Sequence, residues 1–299
     1  MKITNLVISG GAYYGFSIYG ALRTMNQMNK YHISDIKNIY ATSIGTVIGC
    51  VIAMNYDWKT LDDYLIKRPW HQTFPVNLNT VFNAYSNCGI FDKKFMQSIM
   101  HPLLLGKHID PNITLKGFYD ATQVKMNFVT TNIESVTQEV FSHDSHPDVL
   151  LTDALYFSCC VPVLFRPEQY NGTIYLDGGI LNNYPLDMCI ENGADPDEII
   201  GVQLQGEKKT TIRTDSLLEF LFSLLNIIVR KILQLQCKST IKNNVIIQKP
   251  ALSISALYDA INKQSIREEL LEEGSNVAKE FCLNTPEQES SQPSTDDTN

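Results

Sequence analysis

Two side chains in this sequence have surroundings suited to acyl-transfer chemistry. Ser43 lies in Tyr40-Ala41-Thr42-Ser43-Ile44-Gly45-Thr46, after the apolar stretch Ile36–Tyr40 and before the apolar run Val47–Met54. Strand, small-x-Ser-x-Gly, helix is the layout of a nucleophile elbow, a sharp turn that lifts a serine hydroxyl clear of a sheet. Ala41 and Gly45, two residues either side, are small enough for strand and helix to close up. The bland alternative is an ordinary strand-to-helix turn. Asp177 ends a second apolar stretch, Gly172–Leu176, and Gly178-Gly179 follow it. Taken alone, Asp-Gly is a common turn pair.

A serine hydroxyl is a poor nucleophile without a base. All six histidines lie at or before residue 146. An order of serine, acid and then a late histidine is therefore not available. If Ser43 reacts and Asp177 belongs to its site, the carboxylate itself must take the proton. Desolvation raises a carboxylate's pKa and eases that step.

A third stretch bears on the same chemistry. Asn5–Ser9 reads as a strand, Gly10-Gly11-Ala12-Tyr13-Tyr14-Gly15 as a glycine-rich loop, and Phe16–Met28 as a helix. Backbone amides at such a helix start can hold negative charge. One use is phosphate binding in a dinucleotide fold, with Asp35 about 20 residues on, although alanine takes the middle glycine's place. The other use is an oxyanion hole. A following strand that ends in the serine elbow fits the second use better.

Ser9–Gly15, Ala41–Gly45 and Asp177–Gly179 together resemble the glycine loop, serine elbow and Asp-Gly signatures of patatin-like phospholipases. Ser158–Pro167 and Asn182-Asn183-Tyr184-Pro185 are also similar to that family, so the resemblance covers about residues 5–205. It implies an α/β class, a three-layer α/β/α fold with a mainly parallel central sheet and a helical C-terminal part. It also implies a dyad of Ser43 as nucleophile and Asp177 as general base, acting through an acyl-enzyme. Gly10, Gly11, Ala12 and Ile44 would stabilise the oxyanion, with Gly15, Ala41, Gly45, Gly178 and Gly179 completing the motifs. No cofactor or metal is implied, and the substrate would be a phospholipid or other acyl-lipid at a membrane surface. Ala12 and Ala41 stand where the family has glycine, and Tyr14 where it has Arg or Lys. These departures motivate an alternative, a catalytically weak member that binds membranes or a partner.

The remaining elements must hold these groups in place. The 299 residues are 44% hydrophobic and 19% charged, which describes a globular chain. A net charge of −8 argues against nucleic acid as a general partner. Seven cysteines without a CxxC pattern suggest reduced thiols in a cytoplasmic setting. No secretory signal or spanning helix is read. Further strands are expected at Val124–Thr131, Glu139–Ser142 and Ile199–Leu204. Helices are expected at Phe91–Leu105, from Pro147 to Cys160, at Ser216–Gln236 and at Lys263–Phe281. His143 and His146 have no third ligand nearby and read as a solvated loop. In Ser216–Gln236 the polar residues Glu219, Ser223, Asn226, Arg230 and Gln234 form one narrow stripe on an otherwise apolar helix. This is either a core helix with one wet edge or an interfacial helix with basic flanks. One acyl-hydrolase domain is expected over 1–283, with core motifs in 5–205 and a helical extension in 206–283. Residues 284–299 read as a disordered acidic tail.

Overall fold

A computed structural model describes residues 2–74, 88–207, 212–233 and 239–284. Of the expected tail, Asn284 is the last residue of a helix, and residues 285–299 lie outside the described residues. Ten strands occur among them: β1 (Asn5–Ile8), β2 (Asn38–Thr42), β3 (Gly89–Phe91), β4 (Lys125–Asn132), β5 (Thr137–Phe141), β6 (Val163–Phe165), β7 (Gln169–Tyr170), β8 (Thr173–Asp177), β9 (Ile199–Gly206) and β10 (Asn244–Lys249). The helices of eight or more residues are α1 (Gly15–Gln27), α2 (Ile44–Ala53), α3 (Lys94–Gly106), α4 (Leu115–Thr122), α5 (Leu151–Ser158), α6 (Leu217–Leu233), α7 (Ile254–Asn262) and α8 (Gln264–Asn284).

The main sheet runs β10-β9-β1-β2-β4-β8-β7, with β5 also on β4. Strands β10, β9, β1, β2 and β4 are parallel, and β5, β7 and β8 pair antiparallel. Strand β1, at the centre of the parallel part, is buried at all four residues without alternation because both of its faces are covered. Leu6, Ile8, Ile39 and Ala41 point into the main core. Their neighbours Val7 and Tyr40 point the other way, onto Tyr184, Leu186 and Cys189. The chain is thus layered about one sheet, with helices α1, α2 and α8 contributing to the heavier side.

Several elements differ from their sequence readings. Pro147 does not begin a helix: residues 142–150 form turns, and α5 starts at Leu151. The Ser142 and Ser145 side chains hold that turn by local bonds to backbone, which compete with helix. Phe91 belongs to β3, not to the helix that follows. Helix α6 is described from Leu217 to Leu233, and residues 234–236 lie outside the described residues. Strand β10 and helix α7 have no counterpart in the sequence reading. In β10 only Val245, Ile247 and Lys249 face inward, a short alternation inside a basic segment.

Helix α8 packs along α1, and Ser275 Oγ donates to the Gly20 carbonyl at 3.3 Å. From α8, Arg267 reaches into the interior and is almost fully buried. Its Nε donates to Ile66 O at 2.7 Å, Nη1 to Ala260 O at 2.8 Å and Nη2 to Arg68 O at 3.0 Å. The planar fork thereby ties three segments together through carbonyls instead of a carboxylate. Lysine has one compact head and cannot reach all of them. Arg267→Lys is expected to lower unfolding free energy by about 3 kcal/mol, since it leaves buried carbonyls unpaired. Denaturant unfolding checks this, and a loss below about 1 kcal/mol would contradict it.

Candidate active site

Strand β2 delivers Ser43 to the carboxyl edge of the parallel strands, and α2 begins at the next residue. Ser43 has φ 53° and ψ −131°, a conformation that non-glycine residues rarely hold. The surroundings keep it there. The Ser43 amide donates to Ser158 Oγ at 3.0 Å, and Ser158 Oγ donates in turn to Val129 O at 2.6 Å. Thr46 Oγ1 donates to Ser43 O at 2.6 Å. Gly45 has no room for a side chain, because a Cβ would come within 2.6 Å of Ser9 O. Ala41 is buried in the core, where its methyl group is accommodated.

Asp177 closes β8 from the far side of β4. Its amide donates to Cys160 O at 2.9 Å, and its carbonyl accepts from Thr131 Oγ1 at 2.9 Å. Carboxylate oxygen Oδ1 accepts from the Gly179 amide at 2.7 Å. Gly178 sits against β4 so closely that a Cβ would come within 2.2 Å of Val129 O. Oδ2 is buried and has no hydrogen bond of good geometry. Burial raises the Asp177 carboxyl from 3.8 to about 6, and the Ser43 hydroxyl and the Gly179 amide counteract it in part. Ser43 is thus close enough to act on the carboxylate, yet the contact is loose. Such geometry is common before a ligand draws catalytic groups together.

The glycine loop borders the same cleft. Gly10 abuts Ser43, since a Cβ on it would lie 2.9 Å from Ser43 Cβ. Its amide is already taken, because it donates to Asn183 O at 3.1 Å. That differs from the expectation of a free donor. The reason is tertiary: Asn183 packs on the loop, and its Nδ2 also donates to Gly10 O at 3.3 Å. Among the described residues, the Gly11 and Ala12 amides have no acceptor, nor does the amide of Ile44, first residue of α2. Ala12 has φ +48°, the left-handed conformation for which glycine is better suited. Gly15 lies against the Ile44 side chain.

Two cavities meet at Ser43. One, of about 130 Å³, is walled by apolar side chains that include Val47, Trp70, Phe74, Phe91, Phe95 and Phe165. The other, of about 210 Å³, contains Gly10, Gly11, Ser43, Asp177 and Asn183 and carries polar as well as apolar walls. In this second cavity Tyr14 has the Lys249 ammonium over its ring, 4.8 Å from the centroid. Lys249 is buried and paired with Glu273 of α8. A cation therefore reaches the Tyr14 neighbourhood from β10.

Sequence reasoning did not single out Ser158, Asn183 or Cys159 for any part in the site, although the first two lie within the stretches that carry the resemblance. Cys159 is buried beside Ser43 and Thr46, where desolvation and then the Asp177 charge push its thiol well up. It is no competing thiolate. His143 stacks on Tyr119 and pairs with Asp144, while His146 meets Ser145 and Glu139. Among the described residues no group of three or more His, Cys, Asp or Glu could hold a metal ion.

Comparisons with known proteins agree with this arrangement at the level of family and fold. A family model described as "Patatin-like phospholipase" matches residues 6–190. A probable lipid hydrolase of Invertebrate iridescent virus 6 is 27% identical over 188 residues, covering 62% of this chain and 63% of that relative's length. An uncharacterized protein of Acanthamoeba polyphaga mimivirus is 24% identical over 232 residues, 75% of each chain. VipD from Legionella pneumophila shares the fold with a TM-score of 0.59 at 15% identity, over 95% of this chain and 67% of its own.

A carboxyl that titrates at about 6 in the fold and near 3.8 otherwise opposes folding when ionised. Below pH 3.8 the protonated group carries no such cost, and the cost is complete once pH has risen past about 6. Asp177→Asn is therefore expected to be more stable than the parent chain at about pH 8, by up to roughly 3 kcal/mol. The gap should close toward about pH 4. Denaturant unfolding at both values measures it, and equal stability at the higher pH would contradict a desolvated carboxylate.

Proposed function

Since the chain belongs to the patatin-like phospholipase family, we propose that it is a lipid acyl hydrolase working through Ser43 and Asp177. The observation that carries this reading is the buried, unpartnered Oδ2 of Asp177 in one cleft with Ser43, on a carboxyl raised to about 6. In the first step Ser43 Oγ attacks the ester carbonyl carbon while its proton passes to Asp177. The carbonyl oxygen becomes an oxyanion, held by the amides of Gly11, Ala12 and Ile44. Collapse of the tetrahedral intermediate breaks the bond to the alcohol, which leaves with the proton from Asp177. Asp177 then takes a proton from water, the hydroxide adds to the acyl-enzyme, and Ser43 is released with its proton restored. Preorganised amides matter most in a site from which water is excluded.

The two cavities on either side of Ser43 support a division of the substrate. The apolar one accepts the acyl chain, in a space comparable to cavities that hold one small apolar molecule. The polar one accepts the alcohol portion. The relative named a probable lipid hydrolase is consistent with an acyl-lipid substrate.

Ser43→Ala is expected to lower kcat/KM on a nitrophenyl acyl ester by at least roughly 1,000-fold. In the parent chain kcat/KM should fall tenfold per pH unit on the acid side of about 6, because only ionised Asp177 can take the proton. An acid limb near 4, or full activity without the hydroxyl, would exclude the dyad. Failure of a fluorophosphonate probe to label Ser43 would favour the alternative, a binding module without turnover.

Chain-length preference tests the acyl cavity. Val47→Phe, which fills it, is expected to lower the ratio of octanoyl to butyryl ester kcat/KM by about tenfold, since each methylene is worth about that much in an apolar pocket. Phe95→Ala should move the ratio the other way. Ratios unmoved by both would place the acyl chain elsewhere.

A further inference from the structure

Helix α6 sits in the fold with the reverse of the usual polarity. Its polar stripe faces the protein. Glu219, nearly buried, accepts from the amides of Ile254 and Ser255 at the start of α7, at 3.3 and 2.9 Å. Ser223 Oγ accepts from the Arg213 amide at 3.3 Å. Asn226 Nδ2 donates to Leu252 O at 3.2 Å, and Arg230 Nη1 donates to Glu207 O at 2.7 Å. Each polar residue of the stripe that falls in α6 is thus an anchor. A second face, with Phe222, Leu225, Val229 and Leu233, lines the cavity that contains Ser43 and Asp177. The third face points outward and is apolar. Leu217, Phe220, Leu221, Leu224 and Ile228 are 40–70% exposed and recur at helical spacing.

Single exposed leucines need no explanation, but five on one helical stripe do. We propose that α6 is a membrane-docking helix whose outer face enters the interfacial layer of an anionic lipid surface, placing the cavity that holds Ser43 and Asp177 against the bilayer. Charge agrees with this occupant. From Glu207 to Lys249 the sequence has eight basic and three acidic residues, a balance of 8 − 3 = +5 in a chain of net charge −8. Among the described ones Arg213 and Lys242 pair with Asp215 and Asp197, Arg230 faces the protein and Lys249 is buried against Glu273, while Lys231 of α6 is exposed. A second copy of the chain would bring like charge to like charge, whereas anionic headgroups complement it. Continuity is the other argument, because the same helix walls the cavity that leads to Ser43. A lipid taken up beside α6 would reach the serine without crossing bulk water. The choice of a lipid occupant rests on the hydrolase reading, but docking is measured without turnover.

The test uses the full chain carrying Ser43→Ala and vesicles of phosphatidylcholine, with and without phosphatidylserine. Cosedimentation should show tighter binding to the anionic vesicles, weakened by added salt. Adding Leu221→Glu with Leu224→Glu should lower the apparent affinity at least roughly tenfold. Leu217→Glu with Ile228→Glu, on the same face, should do the same if the first pair misfolds. In the Ser43-intact chain, both pairs should leave hydrolysis of a soluble short-chain ester unchanged, because none of the four residues borders either cavity. Absence of binding, or unchanged binding by both pairs, would overturn the proposal. So would a dimer that these substitutions dissociate, which would make a second copy the occupant. Binding that persists in a chain inactive on every ester would sink the hydrolase reading and leave docking standing.

Discussion

A carboxylate kept from water, with one oxygen bonded and the other left open, is the constraint on which the rest of this structure depends. Asp177 lies at a strand end in the interior and accepts only the Gly179 amide at Oδ1. No histidine lies at or beyond it in the chain, so no imidazole from its own strand or beyond can relay its proton. Its basicity comes from desolvation, which lifts it to about 6. Holding such a group costs stability, and the surrounding backbone must supply the rigidity. Val129 illustrates this: its carbonyl accepts from Ser158 Oγ, and the same carbonyl closes off the space beside Gly178. One residue of β4 thereby braces both halves of the proposed dyad.

The antiparallel return of β8 onto β4 is what brings the two halves together. Ser43 leaves the end of a parallel strand, the usual ligand-binding edge of such sheets. Asp177 arrives from the opposite direction, in register with Thr130. The positive φ at Ser43 turns its hydroxyl toward the cleft, and the Ser158 clamp prevents relaxation. Strain at this point and burial at the other are costs of the same kind, and the packed sheet between them offsets both.

The residues beyond the family match are built into the pocket instead of appended to it. Arg267 ties α8 to the segment carrying Leu65 and Trp70 and to Ala260 and Ile261, all of which border the apolar cavity. Lys249 brings a buried cation beside Tyr14. Helix α6 closes the other cavity through its apolar residues and grips the body through its polar ones. A hydrophobic period alone cannot distinguish this arrangement from a core helix, because the period is identical when the sense is reversed.

What the sequence determined by itself was local. Ser43 between a strand and a helix, Asp177 before two glycines, and a glycine loop after the first strand were all legible, since turn chemistry and apolar runs act over a few residues. With no histidine after Asp177, a site made of Ser43 and Asp177 would have to use the carboxylate itself as proton acceptor. The mainly parallel sheet was implied by the family resemblance that these motifs carry, not by the strands' own periodicity. Only the tertiary structure decided the rest. It took the Gly10 amide for Asn183, so fewer loop donors stay open. It placed β10 at the sheet edge and Lys249 beside Tyr14. It turned the polar stripe of α6 inward. These outcomes depend on pairings between residues far apart in the chain, such as Asn183 with Gly10, whose sequence separation is 173. Burial and hydrogen-bond satisfaction are properties of the packed whole, and no short window of residues contains them.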